Sequence, residues 1–363
     1  MQNSPSRLLF ADWLRAWALL VMIETHVFNA FLAAPFRDTQ WFRNLNFLNG
    51  LVAPSFLFVS GFVFLVASQK RMVQLRTLGR PFWKQIGRIG MVWLIGYAMH
   101  LPSYWIPRLL AGMSVEQWSR FYRVDILHCI ALTWLFLLVS LVAIRGAGLR
   151  NAVWTVCTLA LTGLAPLVWS WDFRTVLPVP VAGYLNIKTQ SLFPLFPWSG
   201  FMLAGAICAS WFLAARDKGK EKQFMAGLAA AGALFAALGQ LLPPLGFLPE
   251  GATAAWGADP RTFLARLGIV LLVLAACWVY GLYRAPRKSL LLDVSRESLL
   301  VYVVHLLVIY GPFWRGHSLW DVVGRTQGPL RCTLGSLALA GLMILSAKAW
   351  PVLKQRRGAA AGR

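Results

Sequence analysis

Apolar residues in this chain fall into ten runs separated by short polar stretches, at about 10–33, 49–68, 87–107, 124–144, 151–170, 191–214, 223–246, 263–283, 298–314 and 332–350. Most of these runs reach the ~20 residues that a helix needs to cross hydrocarbon. The pattern predicts an all-α, polytopic membrane protein with about ten transmembrane helices in one bundle. It leaves no stretch for a separate soluble domain across 1–363. The first run is the least uniform: FADWLRAWALLVMIETHVFNAFLAAP carries Asp12, Arg15, Glu24 and His26. An ionisable side chain in mid-membrane costs about 2.5–3.5 kcal/mol on insertion scales, so four in one helix need a reason. At ~100° per residue, Arg15 and His26 return to nearly one face, roughly 16 Å apart along the axis. Asp12 sits one turn before Arg15, and Glu24 points almost opposite His26.

Other runs are broken more locally. Asn46, Asn49 and Gly50 open the second, followed by Pro54, Ser55, Ser60 and Gly61, and such small residues allow helices to approach closely. The fourth begins with Asp125 and His128, one turn apart. The sixth enters as SLFPLFPWSGFMLAG, where Pro194 and Pro197 free backbone groups that protein or a cavity must satisfy. Pro243 and Pro244 lie in the seventh, and the ninth places Ser298 and His305 on one face.

Charge settles the orientation. The chain is 58% hydrophobic and 13% charged, with a net charge of +22. In a soluble protein that charge would suggest nucleic acid. Here the basic residues gather in alternate loops: Lys70, Arg71, Arg76, Arg80, Lys84 and Arg88, then 145–150, 216–222, 284–296 and the tail from Lys354. The other loops, with Arg108 and Arg315 among their eleven cations, hold six acids and so carry less net positive charge. This positive-inside pattern places both termini in the cytoplasm and argues against a nucleic-acid partner. It puts Asp12 and Arg15 near the inner surface, His26 in the outer half of its helix and His305 near mid-membrane. The first run is too long and too charged for a cleavable signal, and no N-x-S/T sequon exists. The expected location is the bacterial inner (plasma) membrane, multi-pass, with membrane lipid as surroundings. Five cysteines fall singly in or beside apolar runs, so neither a disulfide framework nor a metal site is expected. A homo-oligomer is compatible with the sequence.

His26 and His305 are the leading catalytic candidates. A neutral imidazole is cheaper to bury than a carboxylate and still accepts a proton, which suits transfer of an acyl group from a thioester to a hydroxyl or amine. For one membrane histidine, a hydrogen bond between helices is an equally good explanation. Asp12 and Arg15 read either as a structural ion pair or as an anchor for an anionic cofactor group. Glu24, Asn49, Asp125 and His128 are candidate polar groups on the acceptor side. Asp125 would orient His128 or cap its helix. The phase of Glu24 argues against a direct pair with His26.

The segments RLLFADWLRAWALLVMIETH, NGLVAPSFLFVSGF, YRVDILHCIALTWL, SLFPLFPWSGFMLAGAI and SRESLLVYVVHLLVIYG resemble the transmembrane acyltransferases. Arg15 and His26 meet the Arg-x10-His pattern of the acyltransferase-3 family, while the overall order resembles bacterial relatives of heparan-α-glucosaminide N-acetyltransferase. The resemblance implies acetyl-CoA or another acyl-CoA as cytoplasmic donor and a glycan or glycolipid amine or hydroxyl as acceptor on the outer side. It implies His26 as the base, Arg15 and Asp12 at the donor end, and His305 near the acyl carbon. One departure stands out: the lysosomal enzyme's catalytic histidine precedes the Asn-Gly of the second span, near Leu45 here. Direct attack and a transient acyl-histidine both remain open. The competing readings are a transporter or lipid flippase using the intramembrane polar residues as a path, and a non-catalytic partner in envelope-polysaccharide assembly.

Overall fold

The computed structural model describes residues 8–104, 112, 114–243, 257–283, 289–313 and 317–361. Pro244, Arg108 and Arg315 lie outside the described residues. The main helices are α1 (Leu9–Phe31), α2 (Gln40–Asn49), α3 (Val52–Gln69), α4 (Arg80–Met99), α5 (Val115–Phe121), α6 (Ile126–Ala143), α7 (Ala147–Gly163), α8 (Leu195–Asp217), α9 (Glu221–Leu241), α10 (Pro260–Tyr283), α11 (Leu290–Arg296), α12 (Ser298–Tyr310) and α13 (Pro329–Ala361). No strand occurs among the described residues, and the fold is that of an all-α polytopic membrane protein.

A helix underlies each of the ten apolar runs. Among the described residues, six stretches are long and apolar enough to span a bilayer: Gln40–Gln69, Ile126–Ala143, Leu195–Asp217, Glu221–Leu241, Pro260–Tyr283 and Pro329–Pro351. Of the others, α1 and α4 carry charged side chains, while α7 and α12 have 17 and 13 residues. Several boundaries differ from the apolar pattern for identifiable reasons. Pro81 in the first turn starts α4 at Arg80, ahead of the apolar stretch, so that exposed Arg80, Lys84 and Arg88 are helical rather than loop. Pro166 helps divide the fifth run into α7 and a short helix, Ala165–Ser170. The seventh run stops at Leu241, before Pro243, and α13 continues past the expected span into the basic tail.

The chain forms two compact units, one from Met1–Phe56 and Ala276–Arg363, the other from Leu57–Ala275. In the first, α1 packs against α11, α12 and α13. Its C-terminal end is tied down by the Ala33 N–H donating to the Gln327 carbonyl (2.9 Å) and the Gln327 N–H donating to the Phe31 carbonyl (2.9 Å). In the second unit, α8 packs on α6 and α7, and α4 packs on α6. A methyl added at Gly61 would overlap the Met202 carbonyl, and one at Gly205 would overlap the Phe58 carbonyl, so α3 and α8 cross at backbone contact. Phe196 leaves helical geometry within α8 (φ −88°, ψ 123°), and its carbonyl accepts from the Trp169 indole (2.9 Å). Protein, rather than lipid or solvent, thus satisfies this break in the sixth run.

The C-terminal end of α6 is closed by arginine. The Arg76 guanidinium donates to the carbonyls of Leu141 (3.2 Å), Ile144 (3.4 Å) and Arg145 (3.0 Å), and Arg150 donates to Ile144 (3.5 Å). These are carbonyls without helical partners, at the negative end of the helix dipole. Arg76→Ala is expected to destabilise the fold by ~1–3 kcal/mol, read as a lower unfolding temperature in detergent. Arg76→Lys, which cannot fork across three carbonyls, should recover only part of the loss.

Candidate functional site

In the first unit, α12 is an apolar helix ended by Gly311, and His305 is its fully buried polar residue. The His305 Nδ1 lies 2.7 Å from the Val301 carbonyl one turn earlier. A carbonyl only accepts, so Nδ1 carries the hydrogen and the neutral ring presents a bare lone pair at Nε2. That Nε2 is buried and has no hydrogen-bond partner. The His26 ring on α1 lies beside it, with centroids 5.3 Å apart and planes at 46°. Tyr310 meets His26 edge-on at 6.1 Å, and Tyr302 approaches His305 at 5.9 Å. The two leading candidates are therefore neighbours, with tyrosines beside them.

Helical phase separates Glu24 from this pair. Its neighbour is Asn49, at the end of α2, which approaches closely enough to act on the carboxylate. Neither amide atom of Asn49 has a partner in strict hydrogen-bond geometry, and Glu24 Oε1 is likewise buried without one. Nearer the start of α1, Asp12 is buried and accepts from the Ser295 hydroxyl (3.1 Å). Arg15 follows one turn later and is half-buried.

Asp125 and His128 sit together in the second unit, and both proposed roles of Asp125 are realised. Its Oδ1 caps α6 by accepting from the backbone N–H of Leu127 (2.9 Å) and His128 (3.2 Å). It also lies 2.9 Å from the His128 Nδ1. By contrast, His100 bonds through Nδ1 to the Gly96 carbonyl (2.8 Å) in its own helix, and His317 is exposed. The five cysteines form no disulfide. No group able to hold a metal ion occurs among the described residues.

Sequence reasoning did not single out Ser295, Tyr310 or the Val301 carbonyl. Ser295 stands just before the apolar run of α12, and Tyr310 closes that run. Their contacts with α1 depend on packing that no local pattern encodes.

Taken together, the first unit holds two adjacent imidazoles, one with its free nitrogen fixed, and a carboxylate–amide pair with unsatisfied polar atoms. Such a set can accept a proton and hydrogen-bond an uncharged substrate away from bulk water. Among known families, the one described as heparan-alpha-glucosaminide N-acetyltransferase, catalytic, matches residues 7–241. The matched stretch includes His26, Asn49, Asp125 and His128, and stops before His305. No curated protein matches the chain.

Proposed function

The chain belongs to the heparan-alpha-glucosaminide N-acetyltransferase catalytic family, and from that premise we propose that it carries an acetyl or short acyl group across a bacterial inner membrane. In this reading, cytoplasmic acyl-CoA is the donor, and a sugar amine or hydroxyl on the outer side is the acceptor. The family and the helical fold make it a multi-pass membrane protein of acetyltransferase type.

The observation that carries the reading is unspent hydrogen-bonding capacity beside two histidines. His305 Nε2, Glu24 Oε1 and both amide atoms of Asn49 are buried without partners. Buried polar atoms are nearly always satisfied, so these atoms suit a bound substrate. In the proposed reaction the acceptor's oxygen or nitrogen attacks the thioester carbonyl carbon as His26 removes its proton. The carbon–sulfur bond then breaks, and the departing thiolate takes that proton from the imidazolium. His305, with its lone pair at Nε2, favours the positive charge that develops on His26. Glu24 and Asn49 hydrogen-bond the acceptor. Arg15 offers a cation to a donor phosphate, with Asp12 held by Ser295 as its support.

The test uses full-length protein in detergent with acetyl-CoA and an amino sugar, following free thiol. Acceptor-dependent thiol release is the expected result. No thiol release, combined with uptake or lipid flipping by reconstituted vesicles without CoA, would replace this reading with a transporter.

A further inference from the structure

The second unit holds another buried histidine whose surroundings specify a ligand group. His128 is fully buried, and its Nε2 has no hydrogen-bond partner. Gly96 leaves the room that the ring occupies: a methyl there would lie 2.7–3.0 Å from three atoms of the imidazole. Two groups face Nδ1, the Asp125 carboxylate at 2.9 Å and the Asp125 backbone N–H at 3.2 Å. They demand opposite tautomers. A bare Nδ1 would set its lone pair against a buried carboxylate oxygen. A hydrogen on Nδ1 makes a short charge-assisted bond to that oxygen instead. The carboxylate therefore decides, and Nε2 is left as an acceptor.

Beside this acceptor stands a donor. The Trp93 indole donates to the Tyr184 hydroxyl (2.9 Å), which shares a second hydrogen bond with the Tyr97 hydroxyl (3.1 Å). Two hydroxyl hydrogens serve one tyrosine–tyrosine bond, so one remains without a protein acceptor among the described residues. The Tyr97 ring packs on His128 with centroids 4.2 Å apart, and both tyrosines are only half-buried. The cluster thus has one unused acceptor and one unused donor on adjacent rings.

We propose that this cluster binds a neutral hydroxyl of a sugar or other polyol, which donates to His128 Nε2 and accepts from the tyrosine pair. A hydroxyl both donates and accepts through one atom, whereas an ammonium group only donates and a carboxylate only accepts. Asp125 and Gly96 are positioning residues: one fixes the tautomer and the other the place of the ring. The inference stands on the geometry of the second unit and does not depend on the acyltransferase reading.

The test is nitrogen NMR of the full chain in detergent with labelled histidine and methyl glucoside as probe, His128 being assigned by the loss of its signals in His128→Phe. The expected result is the Nδ1–H tautomer in wild-type protein and a saturable shift of His128 Nε2 on adding the probe. Tyr97→Phe should weaken that response roughly tenfold, about one lost hydrogen bond. An Nε2–H tautomer in the wild type, which needs no variant to detect, overturns the proposal. So does an Nε2 signal that stays still at saturating probe. Absence of thiol release from acetyl-CoA would leave these readings untouched, so the two failures are distinguishable.

Discussion

His26→Ala is expected to slow acyl transfer by about 10²–10⁴-fold, the usual contribution of a positioned general base. The loss should appear in acetyl-CoA-dependent thiol release, with the unfolding temperature close to that of the wild type. This separation of activity from folding follows from the site. The His26 ring is half-buried and meets its neighbours through ring contacts at 5.3 and 6.1 Å. Its removal leaves the carbonyl lock on His305 intact. Glu24→Gln is the informative contrast, because it retains a polar group beside Asn49 while removing the charge. Its effect should be smaller and should fall on acceptor binding. Normal turnover by His26→Ala would remove His26 from the chemistry.

The second large effect is on folding. Gly61→Val and Gly205→Val each push a side chain into a carbonyl of the facing helix, at Met202 and Phe58 respectively. Overpacking of this kind costs ~1–3 kcal/mol where side chains can shift, and backbone cannot shift as freely. Together the two substitutions should consume much of the ~5–15 kcal/mol that holds a typical domain folded. The expected result is loss of the monodisperse peak in size-exclusion chromatography of detergent-solubilised protein. Gly87→Ala is the control: an added methyl there meets nothing within 4 Å, so its yield should equal that of the wild type. Normal yield from the double variant would mean that α3 and α8 do not cross at these glycines.

What the sequence made readable was local. Helical periodicity put Glu24 and His26 on different faces, and in the structure they meet Asn49 and His305. A three-residue spacing put Asp125 against His128, and the carboxylate both caps the helix and holds the ring. Small residues around Gly61 marked a close approach, and its partner in the structure is the Met202 carbonyl. The rest depends on distant parts of the chain meeting. Nothing near His26 in sequence indicates that a histidine 279 positions later would lie beside it. Nor does any pattern around Gly96 show that its missing side chain makes room for His128. The start of α4 was misjudged because hydropathy marks the lipid-facing part of a helix. Charged turns that extend beyond the hydrocarbon escape it.

The mechanism treats His26 and His305 as one proton-accepting centre, and a comparison of single and double variants reads that unity. His305→Asn retains an N–H able to donate to Val301 while removing Nε2, and it can be combined with His26→Ala. If the two imidazoles act together, the double variant should turn over acetyl-CoA no more slowly than the slower single variant. Rate losses that multiply, or wild-type turnover in either single variant, would contradict it.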